Sequence, residues 1–180
     1  MQQSSALDKV FQRARIPLTL VDAGDAAQPL LRVNDLFCET TGYSRGQCIG
    51  HNCRFLQGTD LQQPARFELR AALDKQEDIQ VVLRNYTRLG DPFDSLIFIN
   101  HIRDLRSEIV YILGSQFVIH DRESAESLDE HLGALDQNFA TLASAHRAVE
   151  LNVKRQISAS TSAMLHSAVL QDRLADWSDR

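Results

Sequence analysis

Gly50-His51-Asn52-Cys53-Arg54-Phe55-Leu56-Gln57 sets the chain's candidate nucleophile directly beside a cation. Asn52 is a good helix N-cap, so Cys53 and Arg54 are expected to open a short helix. A thiol at a helix N-terminus beside an arginine has a lowered pKa, in a field that also favours a bound anion. Gly50 permits the tight turn before the cap. The residues alone leave two readings open, an activated cysteine next to an anion site or a buried structural cysteine. Further along, Asn85, Ser95 and Gln116 interrupt otherwise apolar strand faces, with Asn85 and Ser95 expected as cross-strand neighbours. Buried amides and hydroxyls need partners. Three on one face either satisfy one another or meet a planar ligand with hydrogen-bonding edges. Arg54 and Arg70 can converge on a phosphate, as guanidinium pairs do. Arg66, four residues before Arg70 and on the same helix side, reads as a solvated arginine.

These side chains need a scaffold, and local patterns supply one. Ser5 can cap a helix over about 6–15, which Ile16-Pro17 ends. Leu18–Asp22 and Leu30–Val33 read as strands. Asn34 caps a helical turn carrying Leu36 and Phe37, stopped by Gly42, and Ser44-Arg45-Gly46-Gln47 is a capping box. Pro64 suits the first position of a helix running to about Lys75, with Leu69, Ala72 and Leu73 inward. From Asp78 the apolar period switches from 3.6 to 2. Ile79, Val81, Leu83 and Asn85 share one face; Phe93, Ser95, Ile97 and Ile99 another; Ile112, Gly114, Gln116 and Val118 a third. Short helices threaded between the second and third of five strands predict an α+β fold, an antiparallel sheet with helices on one face.

The 180 residues allow one domain with a sizeable core and an appendage. A net charge of −5 without a basic block gives no reason to expect nucleic acid. Absence of an apolar run of about 18 residues or of a signal-like N-terminus predicts no membrane span. Cys38, Cys48 and Cys53 form neither a metal spacing nor a disulfide framework, so a reducing, cytoplasmic setting is expected. Cys38 and Cys48 read as small core residues.

After about residue 122 the texture changes. Leu128, Leu132, Leu135, Phe139 and Leu142 are spaced four, three, four, three, and His146, Val149 and Val153 continue the rhythm. That is a heptad seam, expected to pack between chains as a homodimer. Ser158 to Ala163 is small and polar, and the pattern resumes with Leu165, Leu170, Leu174 and Trp177. Either one helix continues through this stretch or it bends into a second.

The eight-residue stretch, with Asn85-Tyr86-Thr87 and Leu113-Gly114-Ser115-Gln116, resembles the flavin-binding signature of the LOV (light-oxygen-voltage) branch of PAS domains, from about Leu18 to Val118. The resemblance implies a PAS/LOV core over 17–121, an N-terminal cap helix over 1–16 and a C-terminal helical dimerisation and signalling extension over 122–180. It implies flavin mononucleotide (FMN) as cofactor and a reversible cysteinyl-flavin adduct at Cys53 under blue light. Arg54, Gln57 and Arg70 map onto the phosphate and ribityl contacts, Asn52 onto the asparagine beside the cysteine, and Asn85 onto the pyrimidine edge. Gln116 maps onto the glutamine that senses flavin nitrogen-5 and signals to the C-terminal helices, and Thr19 and Ile97 complete the expected pocket. Ser95 departs from the asparagine usual ten residues after Asn85. Such a chain is expected to be no enzyme and to act through dimer packing or an unknown downstream protein. A ligand- or redox-sensing PAS module without light signalling is the alternative.

Overall fold

The computed structural model describes residues 6–104, 106–119 and 153–171. Ser5 and the seam from Leu128 to Val149 lie outside them, so the capping and inter-chain packing read there are not visible.

Helix α1 (Ala6–Arg13) is followed by strands β1 (Leu18–Asp22) and β2 (Leu30–Val33). Then come α2 (Asp35–Thr41), α3 (Arg45–Cys48), a 3-10 turn (Cys53–Gln57) and α4 (Pro64–Lys75). Strands β3 (Ile79–Tyr86), β4 (Pro92–Arg103) and β5 (Ile109–Ile119) close a five-stranded sheet in the order β2-β1-β5-β4-β3. A further helix, α5, runs over 153–171. All the pairings are antiparallel.

The sequence signals act as physical devices. Buried Asn34 caps α2 by accepting from Phe37 N at 3.0 Å. It also accepts from Leu18 N at 2.9 Å and donates to Ile16 O at 2.8 Å, joining the end of the α1 connection to β1 and α2. Gly42 ends α2 at a φ of 74°, where a side chain would be strained. Gln63, just before Pro64, donates to Arg84 O at 2.9 Å and accepts from Arg84 N at 2.8 Å. The side chain stands in for a neighbouring strand and covers part of the β3 edge.

Period-2 alternation splits the sheet into two faces. The inner face carries two apolar clusters, one around Leu30, Val33, Phe37, Cys48 and Leu56, the other around Val81, Leu83 and Ile97. Cys48 is fully buried and Cys38 packs beside it, as expected of small core residues. On the outer face, Leu18, Leu20, Ile102 and Leu113 pack with Leu7 and Phe11 of α1 and Leu165 and Val169 of α5. Burying each such leucine contributes about 1.5–3 kcal/mol.

Two points left open by the sequence are decided here. Helix α5 passes through 158–163 without a bend, because its small polar residues find bonds: Ser158 Oγ lies 2.8 Å from Ser115 Oγ, and Thr161 donates to Ile157 O at 2.8 Å. Leu165, read as part of the resumed pattern, is fully buried against this chain's own sheet.

Candidate functional site

Between the two inner clusters lies a cavity of about 300 Å³, within the range of small-molecule sites. Its walls come mainly from three places. The 3-10 turn supplies Cys53, Arg54, Leu56 and Gln57, with Asn52 just before it; α4 supplies Arg66, Phe67, Leu69, Arg70 and Leu73. The sheet supplies Thr19, Asn85, Ile97, Gly114 and Gln116 among others.

Strand register explains why these sheet residues meet. Ile97 pairs with Gln116, Ile99 with Gly114, and Gly114 with Thr19. Directly paired residues point to the same face, so Thr19, Gly114, Gln116 and Ile97 share the inner side. Asn85 pairs with Phe93 and Ser95 with Leu83, so Asn85 and Ser95 are diagonal rather than direct neighbours. The tight hairpin after Tyr86 sets that register.

Three buried side-chain atoms in this region have no hydrogen-bond partner among the described residues: Asn85 Nδ2, Ser95 Oγ and Gln116 Oε1. They are the three polar residues singled out by pattern, and they do not satisfy one another. Each orphaned buried group costs about 1–3 kcal/mol. Together they weigh heavily against a net domain stability of about 5–15 kcal/mol. Asn85 Nδ2 offers the cavity a donor and Gln116 Oε1 an acceptor, groups that fit the carbonyl and N–H edges of a flavin ring. Ser95 is fully buried and does not itself line the cavity.

The arginines come from the 3-10 turn and α4 rather than from the sheet. Arg54, Arg66 and Arg70 all line the cavity. Arg66, expected to be solvated, donates from Nε to Gln57 Oε1 at 2.5 Å and also bonds Leu61 O. Its position four residues from Arg70 on α4 was the signal that could have found it. Arg70 pairs with Asp74 at 3.0 Å, an exposed bridge that a phosphate could displace at little cost. Gln28, on the β1–β2 connection, is a further lining residue without a sequence signal.

The signature turn is built as read: Asn52 Oδ1 accepts from Arg54 N at 3.1 Å. Its Nδ2 donates to Ala27 O at 2.7 Å and Gln28 O at 3.3 Å, so this amide positions the turn against the β1–β2 connection. The expected lowering of the Cys53 pKa does not occur. Burial, with a smaller contribution from nearby Cys48, pushes the thiol up to about 12. Desolvation of a thiolate outweighs the weak dipole of a five-residue 3-10 turn. Cys53 therefore faces the cavity as a neutral S–H.

Gly114 is the tightest point of the sheet wall. A Cβ there would stand 2.5 Å from Thr19 Oγ1. Gly114→Ala is expected to cost about 1–3 kcal/mol through overpacking and to weaken flavin retention, measured as the temperature of flavin release. Unchanged release would show that Thr19 can turn aside freely.

Residues 19–123 match the family model described as PAS domain. A solved LOV protein from Rhodobacter sphaeroides aligns with a TM-score of 0.63 at 33% identity, covering 97% of this chain and 96% of that one. With the five-stranded sheet and the signature turn on its inner face, this chain belongs to the LOV branch of the PAS family. A blue-light-activated histidine kinase of Rhizobium johnstonii is 31% identical over 119 residues, 66% of this chain and 34% of its own length. Phototropin-2 of Oryza sativa is 33% identical over 116 residues, 64% of this chain and 13% of its own. The chain thus spans about a third or less of these curated relatives. Among the described residues no helix is long and apolar enough to cross a membrane.

Proposed function

We propose that this chain is a blue-light photoreceptor that holds FMN and responds through Cys53, Gln116 and its C-terminal helices. The observation that carries this is the convergence of a neutral thiol, Asn85, Gln116 and three arginines on one largely apolar cavity. Arg54, Arg66 and Arg70 would hold the phosphate, with Gln57 on the ribityl chain. Asn85, and Ser95 behind it, would hold the pyrimidine edge, with Thr19 and Ile97 packing the ring. When bound and excited by blue light, FMN would supply an electrophilic ring carbon within reach of a thiol and a ring nitrogen, nitrogen-5, able to take a proton; Cys53 would be the residue that gives up that proton as its Sγ reacts, and would regain it in the dark.

Gln116 is suited to report that proton. Its amide can present either a carbonyl or an N–H end, and its Oε1 has no partner among the described residues. The next residue back, Ser115, points to the outer face and bonds Ser158 of α5 at 2.8 Å. Ser158 also donates to Asn100 Oδ1 at 3.5 Å, and Arg155 donates to Gln80 Oε1 at 2.8 Å. A change at Gln116 thus lies one residue from the polar contacts of α5. Exchanging one buried hydrogen bond shifts a packing equilibrium by about 1–3 kcal/mol, enough to bias helix docking without unfolding the sheet. The reading includes the division into 1–16, 17–121 and 122–180, and a homodimer formed through the last segment.

The test is an absorption spectrum of the purified protein. A yellow chromophore should bleach under blue light and recover in the dark; a colourless or light-stable protein overturns the reading. Gln116→Leu should still bleach but lose the light-dependent change in helix packing or mass seen by light scattering in the wild type. A full change in that variant would move signalling to another residue.

A further inference from the structure

Beside the flavin cavity the structure holds another of about 370 Å³, at the end of the sheet remote from Ser95. The two share Gln28, Leu73 and Ile112 as a common wall. This one is polar: His101, Arg103, Gln28, Gln76, Ser107 and Glu108 line it.

Its central group is held in place. The His101 side chain is only 3% exposed, and its Nδ1 lies 3.1 Å from Asp78 Oδ1. Asp78 also accepts from the His101 amide at 2.8 Å and from Asn100 Nδ2 at 3.1 Å. Burial works against the Asp78 charge, but these donors together hold its carboxyl below the usual range. A carboxylate on Nδ1 fixes the ring and leaves Nε2 as the nitrogen available to the cavity.

The backbone around it is unusual too. Three non-glycine residues among those described adopt a left-handed φ, Gln28 at 51°, Gln76 at 58° and Ser107 at 64°. All three line this cavity. They sit in three separate connections, those of β1–β2, α4–β3 and β4–β5. Such conformations cost energy and gather at ligand-holding positions. Here they bring three connections around one buried imidazole.

We propose that this cavity is a second ligand site, built for a small zwitterion of the amino-acid type. It presents one cation, one anion and neutral hydrogen-bonding groups. Arg103 spends one N–H on Ser107 O at 3.0 Å and keeps the rest of its fork for a carboxylate. Glu108 suits an ammonium group. His101 Nε2 and the amides of Gln28 and Gln76 suit a polar side chain. A simple carboxylate would leave Glu108 unanswered, and a simple amine would leave Arg103. An occupant would also touch the Gln28 segment, whose carbonyl accepts from Asn52, the residue before Cys53.

The test is calorimetric titration of the flavin-loaded full chain, in the dark, with the standard free L-amino acids at millimolar concentration, and with acetate, succinate and methylamine. At least one amino acid should bind saturably, with the three simple ions weaker. Arg103→Gln and Glu108→Gln, both on the exposed rim, should each weaken it by about three- to tenfold, as part-exposed ion pairs do. No saturable binding by any amino acid, equal binding by acetate, or indifference to both substitutions overturns the proposal. Because the titration needs no light, its outcome is independent of whether Cys53 responds to illumination.

Discussion

Cys53→Ala is expected to keep the flavin while losing all light-induced bleaching. The thiol occupies one point of a wall made by some twenty residues, and alanine removes a single sulfur from it. Loss of so small a buried group costs about 1 kcal/mol, too little to empty the site. The photochemistry loses its nucleophile entirely. Absorption before and after blue light reads both effects, and normal bleaching with dark recovery in the variant would refute the covalent step. The raised thiol pKa adds a pH signature. A group whose folded value, about 12, exceeds its ordinary 9.0 contributes stability that is complete below about pH 9 and is lost as pH rises towards 12. Bleaching amplitude should thus be flat through the neutral range, and unilluminated Cys53 should resist alkylation there, since thiolate is the reactive form. A step in bleaching near neutral pH would mean that a thiolate, not a thiol, reacts.

Arg54→Ala with Arg66→Ala is expected to have the second-largest effect. Each charge-assisted hydrogen bond contributes about 1.5–3 kcal/mol. The mouth is partly open to water, so about 1–2 kcal/mol apiece is the fairer figure. Together the two changes should weaken FMN by about 30- to 1000-fold. Riboflavin lacks the phosphate, so its affinity should fall far less. Arg66→Ala also frees Gln57 Oε1, and a modest loss for riboflavin should trace to that misplaced amide. Titration of the apoprotein with both flavins decides the matter. Equal losses would place the arginines away from the phosphate.

Much of this site is written in local pattern. Asn34, Gly42, the Ser44 capping box, Asn52 and Pro64 bound the helices where they were expected, because caps and turns depend on a few consecutive residues. Asn85, Ser95 and Gln116 stood out because a polar group on an apolar strand face breaks a period of 2. Which faces look inward could be read from that period; which residues stand opposite one another could not. Register depends on the hairpin turn and on packing along the whole strand, and it set Asn85 diagonal to Ser95.

Other properties belong to the folded chain alone. The thiol pKa depends on how much protein surrounds Cys53, and a neighbouring Arg54 in sequence cannot reveal that. Arg66 looked solvated because a helix face carries no label for what it confronts; docking α4 over the 3-10 turn brought it to Gln57. Leu165 shows the same limit. An apolar repeat states that a helix must bury one side, and only the assembled sheet, offering Leu18, Leu20 and Leu113, decided what covered it. Burial, register and electrostatics arise from residues distant in the chain, so they exist only once the tertiary fold has brought those residues together.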